Sequence, residues 1–239
     1  MPLRSALELD MGISNLMRML TVSIVASLCF GCATTSTRAV FELSQMRPLR
    51  IVGPAHETSM EHETSNEYVR NHRATVLYWW SNTCPCVRRY QSRIEALMTQ
   101  YSPREIGFIA IASNSDETED EIREVAKNRA FKLPMAIDHG GHWANALSVQ
   151  RTPTIVILDS QGKLLFHGWI DNERMIGQSG RVAYLEEAIQ RVLAGTYAYA
   201  SSPVFGCRIT KDLFGTDRDC DDLSSTPGGT GSAQRADFN

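Results

Sequence analysis

The chain has 239 residues, with 24 Lys and Arg against 27 Asp and Glu, and a formal net charge of −3. This length fits one domain of ordinary size with extensions, or two small domains. Hydrophobic residues make up 43% and charged residues 21%, which is enough for a globular core and excludes a chain that is disordered throughout. Its apolar runs are shorter than the about 18 residues of a membrane span, which excludes a multi-spanning membrane protein. The near-neutral charge gives no general attraction to nucleic acid.

The N-terminal segment has the features of an export signal. An apolar run over residues 20–31 follows a positively charged flank and precedes small polar residues. The run is too short for a stable membrane span but has the length of a signal-peptide core. We therefore predict a signal peptide over residues 1–31 and a polar tether over residues 32–47. Three methionines are candidates for the translation start: Met1, Met11 and Met17.

The end of this segment, Leu28 to Cys32, resembles a bacterial lipobox, although Cys29 stands where the motif prefers Leu. The resemblance implies cleavage before Cys32 and a lipid on that cysteine. Because Ala33 rather than Asp follows it, the resemblance also implies the periplasmic face of the outer membrane. Ordinary cleaved secretion and a retained anchor are the alternatives. In each case the domain works in the cell envelope or beyond it, where disulfides persist.

The rest of the chain alternates strand and helix patterns. Compact apolar runs rich in β-branched and aromatic residues predict strands, and apolar residues three and four apart predict helices. In chain order these are a strand at 75–80, a helix at 87–101, a strand at 106–112, a helix at 117–130, two strands at 154–158 and 163–168 joined by a turn, and a helix at 181–193.

This order predicts an α/β fold with a mixed central sheet flanked by helices. Two strands joined by a helix pair in parallel, whereas the two strands of a hairpin pair antiparallel. We place the domain at residues 48–196. A C-terminal extension over residues 197–239 follows, and its Ser-, Thr- and Gly-rich end is predicted to be disordered from about residue 223.

A cysteine-containing turn, Thr83-Cys84-Pro85-Cys86, lies between the first strand and the first helix. The carboxyl end of a strand next to a helix N-terminus is the usual functional edge of an α/β sheet. The helix dipole there favours a thiolate, the species that attacks a disulfide, and Arg88 adds positive charge. Pro85 suits the first helical turn, because its missing N–H costs nothing at that position. Cys84 is therefore the candidate nucleophile.

Several short motifs in this order resemble the thioredoxin-like superfamily, and within it the redoxin branch. The first is Cys84-Pro85 with Tyr90 five residues after the proline. The others follow along the chain: Arg151-Thr152-Pro153 before a strand, Asp159 to Lys163 as its hairpin turn, Phe166 to Asn172 at the next strand end, and Phe205 to Ile209 after the last helix.

The resemblance covers about residues 48–210 and implies a thioredoxin-like fold with thiol–disulfide exchange at Cys84. It also implies that Pro153 is cis and lies opposite the cysteines. In this family the backbone of the residue before that proline, here Thr152, receives a substrate peptide as a strand.

The cysteine spacing departs from the Cys-x-x-Cys of thioredoxins, because Cys84 and Cys86 are separated by one residue. Residues two apart on a regular helix point to different sides, so a disulfide between them needs Cys84 outside the helix. The resolving cysteine is either Cys86, which the sequence favours, or Cys207. With Cys220 the domain has four cysteines without a lipid, and these allow three full pairings, among which the sequence does not choose.

We interpret the chain as an extracytoplasmic thiol–disulfide oxidoreductase that uses no cofactor. The expected partners are protein or small-molecule thiols and disulfides, a redox partner of unknown identity, and the membrane through a lipid anchor, but no nucleic acid. The interpretation requires the Cys84 sulfur to be accessible and ionised.

Two other functions could use the same residues. A peroxiredoxin-like peroxidase has Ser or Thr three residues before its cysteine, which Ser81 satisfies, and Pro four residues earlier, where Leu77 stands. A non-enzymatic module could bind a partner, or copper through Cys84, Cys86 and a histidine, because copper(I) favours soft thiolates.

Overall fold

The computed structural model describes residues 42–52, 63–173, 179–196 and 198–210. The predicted signal peptide, the predicted lipidation site Cys32, Cys220 and the end of the extension lie outside these residues. Within the described ranges, the helices are all too short or too polar to cross a membrane.

The described residues form the predicted mixed sheet flanked by helices. The strands are β1 (Ile51–Val52), β2 (Ala74–Trp80), β3 (Ile106–Ala112), β4 (Met135–Ile137), β5 (Arg151–Thr152), β6 (Ile155–Asp159), β7 (Leu164–Gly168), β8 (Ala200–Ser201) and β9 (Cys207–Arg208). The α-helices are α1 (Ser65–Asn71), α2 (Pro85–Tyr101), α3 (Glu119–Asn128), α4 (His142–Ala146) and α5 (Tyr184–Leu193). Single 3-10 turns span Leu43–Gln45 and Ser102–Arg104.

The main sheet has seven strands in the order β1-β4-β3-β2-β6-β7-β8. The pairs β2–β3, β3–β4 and β7–β8 are parallel, and the pairs β1–β4, β2–β6 and β6–β7 are antiparallel. The short strands β5 and β9 pair antiparallel in a separate two-stranded sheet.

Strand β2 is buried along its whole length, because helices cover both faces of the sheet. Its side chains alternate between two hydrophobic clusters: Val76, Tyr78 and Trp80 belong to one, and Leu77 and Trp79 to the other. This burial explains the continuous apolar run in the sequence. It also fixes the strand end from which the cysteine turn begins.

Helix boundaries differ from the predicted ones where capping decides them. Helix α3 begins at Glu119 rather than residue 117, because Thr118 and Glu121 form a capping box: the Glu121 N–H donates to the Thr118 hydroxyl, and the Glu121 carboxylate accepts from the Thr118 N–H. Helix α5 begins at Tyr184 rather than residue 181. The Val182 N–H before it donates to the Asn172 side chain at 2.6 Å, outside the helical pattern.

The structure also differs from the predicted domain end at residue 196. Strand β8 extends the main sheet beside β7, and β9 pairs with β5. These strands have two residues each, which is too short for a hydrophobic period to be visible in the sequence. Residues 198–210 are therefore part of the folded domain.

Candidate active site

Cys84 stands at the end of the turn after β2 and acts as the N-cap of helix α2. Its backbone is extended (φ −75°, ψ 117°), and Pro85 occupies the first turn. The Arg88 N–H donates to the Cys84 carbonyl at 3.3 Å, so the helix begins directly after the cysteine. Arg88 is exposed at this helix end. This is the location outside the helix that the sequence argument required.

Three sulfurs meet at this point. The Sγ atoms of Cys84, Cys86 and Cys207 lie within 4.8 Å of one another, and all three residues are buried. The Cys84 and Cys207 sulfurs are 2.7 Å apart and carry no disulfide bond. Cys86 is disulfide-bonded. The two thiols in direct contact are therefore Cys84 and Cys207.

The loop before β6 forms the opposite wall of the site. The Thr152–Pro153 peptide bond is cis, as the resemblance implied. The Thr152 carbonyl lies 3.2 Å from the Cys84 sulfur. In the β5–β9 pair, Thr152 is directly opposite Cys207. The structure thus brings Thr152 and Pro153 next to Cys84 and Cys207.

The expectation that the Cys84 sulfur is accessible is wrong for this structure. Cys84 is only 1% exposed. The sequence could not show this, because Thr152 and Cys207, which contact the sulfur, lie more than sixty and more than a hundred positions along the chain. Any function of this sulfur has to account for that cover.

Cys84 is nevertheless well placed to ionise. The hydrogen bond with Cys207 lowers the pKa of the Cys84 thiol to about 6, assisted by the Thr152 side chain and the Val87 backbone and opposed by burial. The same hydrogen bond raises the pKa of Cys207, since Cys207 keeps its proton and donates it to the Cys84 thiolate. One sulfur is therefore a nucleophile at neutral pH, and the other is a protonated thiol in contact with it.

We expect the ultraviolet thiolate absorption of the reduced chain, measured against Cys84→Ser, to titrate at about pH 6. The thiolate forms as pH rises through the pKa, so the rate of attack by Cys84 should rise through the same interval. Cys207→Ala removes the hydrogen-bond donor and should raise the midpoint toward the ordinary cysteine pKa of about 8.5. Cys207→Ser retains a donor and should keep the midpoint low. An unchanged midpoint in Cys207→Ala would contradict the assigned cause.

A buried carboxylate that the sequence argument missed organises the turn before Cys84. Glu117 is 6% exposed, and its Oε1 accepts hydrogen bonds from the Ser81 hydroxyl at 2.5 Å and the Asn82 N–H at 3.1 Å. The Thr83 N–H and the Asn114 amide also donate to Oε1. Because these bonds fix the residues that lead into the nucleophile, Glu117 acts as a positioning residue.

Arg129 contacts the same turn from helix α3's C-terminal end. Its Nη2 donates to the Asn82 carbonyl at 2.6 Å, and its guanidinium lies 5.9 Å from the centre of the Trp80 ring. Burial lowers the pKa of Arg129, and the nearby Cys84 opposes this shift. The sequence argument assigned the local positive charge to Arg88. The structure adds Arg129, which is distant in sequence and lacked any local signal.

Tyr90, the helix residue that the redoxin resemblance singled out, ties α2 to the end of the β7 segment. Its hydroxyl donates to the Glu173 carbonyl at 2.6 Å. Arg93, one turn further on, contacts the buried Asp171 at 2.8 Å and 3.0 Å. The Tyr90 ring packs edge-on against Trp169 at 5.6 Å. These contacts fix the positions of the Tyr90 and Trp169 rings relative to helix α2.

Comparison with known proteins identifies the family. The sequence model of the family described as Redoxin matches residues 54–185, more than half of the chain. The chain belongs to the redoxin family. Among solved structures, this redoxin resembles an uncharacterized conserved protein of Geobacillus kaustophilus (TM-score 0.58, 23% identity, 70% of this chain and 90% of that one). It also resembles a hypothetical protein of Sinorhizobium meliloti (TM-score 0.56, 23% identity, 68% and 90%). The predicted thioredoxin-like fold is confirmed.

Curated relatives share part of the redoxin's sequence. The thiol-disulfide oxidoreductase ResA of Bacillus cereus is 28% identical over 120 residues, which are 50% of this chain and 64% of that protein. ResA of Bacillus thuringiensis subsp. konkukian is 28% identical over 93 residues, 39% of this chain and 53% of that protein. The redoxin thus spans less than two thirds of the length of these relatives. The family membership and the similarity to oxidoreductases support a redox role.

Proposed function

We propose that the chain is a thiol–disulfide oxidoreductase in which Cys84 is the nucleophile and Cys207 the resolving cysteine. The observation that carries the proposal is the 2.7 Å contact of the two sulfurs. The lowered pKa of the Cys84 thiol and the raised pKa of the Cys207 thiol support the assignment of the two roles. A shift of about 0.7 Å would bring these sulfurs to the length of a disulfide bond. The relatives named thiol-disulfide oxidoreductase support the same reaction class.

The cycle has two exchange steps. In the first, the Cys84 thiolate attacks one sulfur of a substrate disulfide; a mixed disulfide forms, the substrate S–S bond breaks, and one substrate sulfur leaves as a thiolate that takes up a proton. In the second, Cys207 gives up its proton and attacks the Cys84 sulfur, which releases the second substrate sulfur as a thiol. The Cys84–Cys207 pair is oxidised by two electrons, and the substrate disulfide is reduced to two thiols. The reverse sequence oxidises substrate thiols.

Cys207 replaces Cys86 as the preferred resolving residue. The sequence argument favoured Cys86 and kept Cys207 as the alternative. Cys86 remains within 4.8 Å of Cys84 and is the second candidate, but it lies inside helix α2 and already holds a disulfide. Cys207 reaches Cys84 from a separate strand and is in direct contact with it.

A peroxidase is the second candidate function, because small peroxides can reach a covered sulfur more easily than a protein disulfide can. The Ser81 hydroxyl, which fitted the peroxiredoxin pattern, donates to Glu117. The copper alternative would use the three clustered sulfurs, because copper(I) favours soft thiolates. The disulfide at Cys86 leaves the thiols of Cys84 and Cys207 as ligands, and no histidine joins them within the described part of the chain.

Mass-spectrometric disulfide mapping across a glutathione redox titration tests the proposal. We expect a Cys84–Cys207 disulfide that forms and disappears with one midpoint. A Cys84–Cys86 disulfide in its place would transfer the resolving role to Cys86. Rapid turnover of hydrogen peroxide without exchange of disulfides would favour the peroxidase, and stoichiometric copper in the reduced protein would favour the binding module.

We also propose that the chain works in the cell envelope as a lipoprotein on the periplasmic face of the outer membrane. The apolar run at residues 20–31 and the lipobox-like sequence ending at Cys32 support this location. An oxidising compartment also suits a cysteine pair that cycles through a disulfide. The same mass spectra test the proposal, since a mature N-terminal peptide that begins with an acylated Cys32 is the expected product.

A further inference from the structure

Residues 205–210, here called the C-terminal strap, cover the nucleophile. Cys84 is 1% exposed, and Cys207 at the middle of the strap touches its sulfur. The strap therefore contributes to the burial of Cys84.

The strap binds β5 as an antiparallel strand. Cys207 pairs with Thr152, and Arg208 with Arg151. The Ile209 N–H donates to the Gln150 carbonyl at 2.9 Å. This pairing uses main-chain groups, so an extended segment of another protein could form the same bonds on the same edge.

Both ends of the strap are anchored. At its start, the Phe205 ring packs against Trp169 at 5.5 Å. At its end, the Thr210 carbonyl accepts from the Ser115 N–H at 3.1 Å and from the Ser115 hydroxyl at 2.7 Å, and the Thr210 N–H donates to Asn114 at 3.1 Å. Arg208 between these anchors is exposed. These anchors add to the burial of Cys207 and Ile209, which are 5% and 7% exposed, so release of the strap has to expose both side chains.

Gly206 allows the strap to approach β5. Its φ of 109° favours glycine, and a Cβ at this position would lie 2.2 Å from the Thr152 carbonyl oxygen. The Arg151 guanidinium donates to the Gly206 carbonyl at 2.6 Å. A side chain at residue 206 would therefore separate the strap from β5.

We infer that the C-terminal strap is a built-in substrate mimic: it occupies the β5 edge with a cysteine against Cys84, where a cysteine-containing extended segment of a partner protein binds once the strap has left. The inference rests on the proposed function. In the oxidised pair the Cys84–Cys207 bond ties the strap down. In the reduced pair the strap is held by noncovalent contacts alone and competes with the partner segment. The β5 edge is thus available to a partner segment in the reduced state, whereas in the oxidised state a substrate thiol has to attack a disulfide that the strap still covers.

Binding of a peptide that cannot react tests this inference. The probe is a fluorescent heptapeptide with the sequence of residues 204–210 and Ser in place of the cysteine, added to the reduced full-length chain. Gly206→Val should bind it at least about tenfold more tightly than the wild-type chain, because the closed strap reduces the fraction of competent protein. The matched control is Gly195→Val, which also substitutes a positive-φ glycine (φ 76°) but meets nothing within 4 Å. This control should bind as weakly as the wild-type chain.

Hydrogen exchange of the Ile209 amide supplies the second measurement, in the wild-type chain. It should exchange faster in the reduced than in the oxidised protein, without unfolding of the sheet. The inference would be overturned if the Ile209 amide hydrogen exchanged only through global unfolding in both redox states. Equal peptide binding by Gly206→Val and Gly195→Val would also overturn it. Because the probe has no sulfur, peptide binding without disulfide exchange would refute the proposed function and leave the strap in place. Disulfide exchange by a protein whose strap never opens would refute the inference about the strap and leave the proposed function in place.

Discussion

In Cys84→Ser we expect the rate of disulfide exchange to fall by at least about a thousandfold. The reason is that a serine hydroxyl does not ionise near neutral pH and cannot form the mixed disulfide. The measurement is the rate of mixed-disulfide formation with oxidised glutathione in the reduced chain. The stability cost should be small by comparison, about 1 kcal/mol for one buried sulfur-to-oxygen change. The unfolding free energy, measured in parallel, separates loss of chemistry from loss of fold.

Cys86→Ser is the matched control for this loss. It makes the same sulfur-to-oxygen change at a neighbouring buried cysteine, whose disulfide is opened beforehand in the reduced chain used for the assay. We expect the first exchange step to keep most of its rate in this variant. Retained exchange in Cys84→Ser together with lost exchange in Cys86→Ser would assign the nucleophile to Cys86.

Cys207→Ala stops the cycle after its first step. Cys84 can still attack a disulfide, but the thiol that contacts it at 2.7 Å is gone, so the mixed disulfide accumulates. Mass spectrometry of the intact protein should show close to one adduct per chain, attached at Cys84. The second step should slow by at least about a hundredfold, since an intramolecular thiol is replaced by thiols from solution.

The comparison with Cys86→Ser decides which cysteine resolves. Under the proposed scheme, Cys86→Ser releases the adduct at a rate close to that of the wild-type chain. If the mixed disulfide accumulated in Cys86→Ser and were released normally in Cys207→Ala, Cys86 rather than Cys207 would be the resolving cysteine. Accumulation at Cys84 in neither variant would refute both schemes. Because Cys207→Ala also raises the Cys84 pKa, adducts should be compared at a pH above both midpoints.

The sequence predicted the fold because its long elements carry strong patterns. Strand β3 has the predicted bounds, and β2 begins one residue earlier than predicted. Both are fully buried seven-residue runs, for which composition alone is a strong signal. Strands of two or three residues, such as β4, β5 and β9, have no such signal. Their pairing is decided by tertiary contacts that bring distant segments together.

The candidate site was predicted in part for the same reason. A local motif at a helix start identifies Cys84 and Pro85 as site residues. The position of Pro153 directly before a strand identifies it in the same way. Glu117 and Arg129 act on the turn before Cys84 from more than thirty residues away, so no spacing rule points to them. The closure of the site by Cys207 likewise depends on a strand pairing that the sequence does not display.

The pairing of Cys207 with Thr152 limits how the chain can vary between β8 and β9. Side chains of a strand point alternately to opposite faces, so a slip of one position would turn the Cys207 sulfur away from Cys84. Residues 202–206 form a loop, so the register of β9 depends on its pairing with β5 and on the hydrogen bond from the Ile209 N–H to the Gln150 carbonyl. Changes between β8 and β9 that shift β9 by one residue along β5 should silence the resolving thiol even with every cysteine present, whereas changes that keep Cys207 opposite Thr152 should be tolerated.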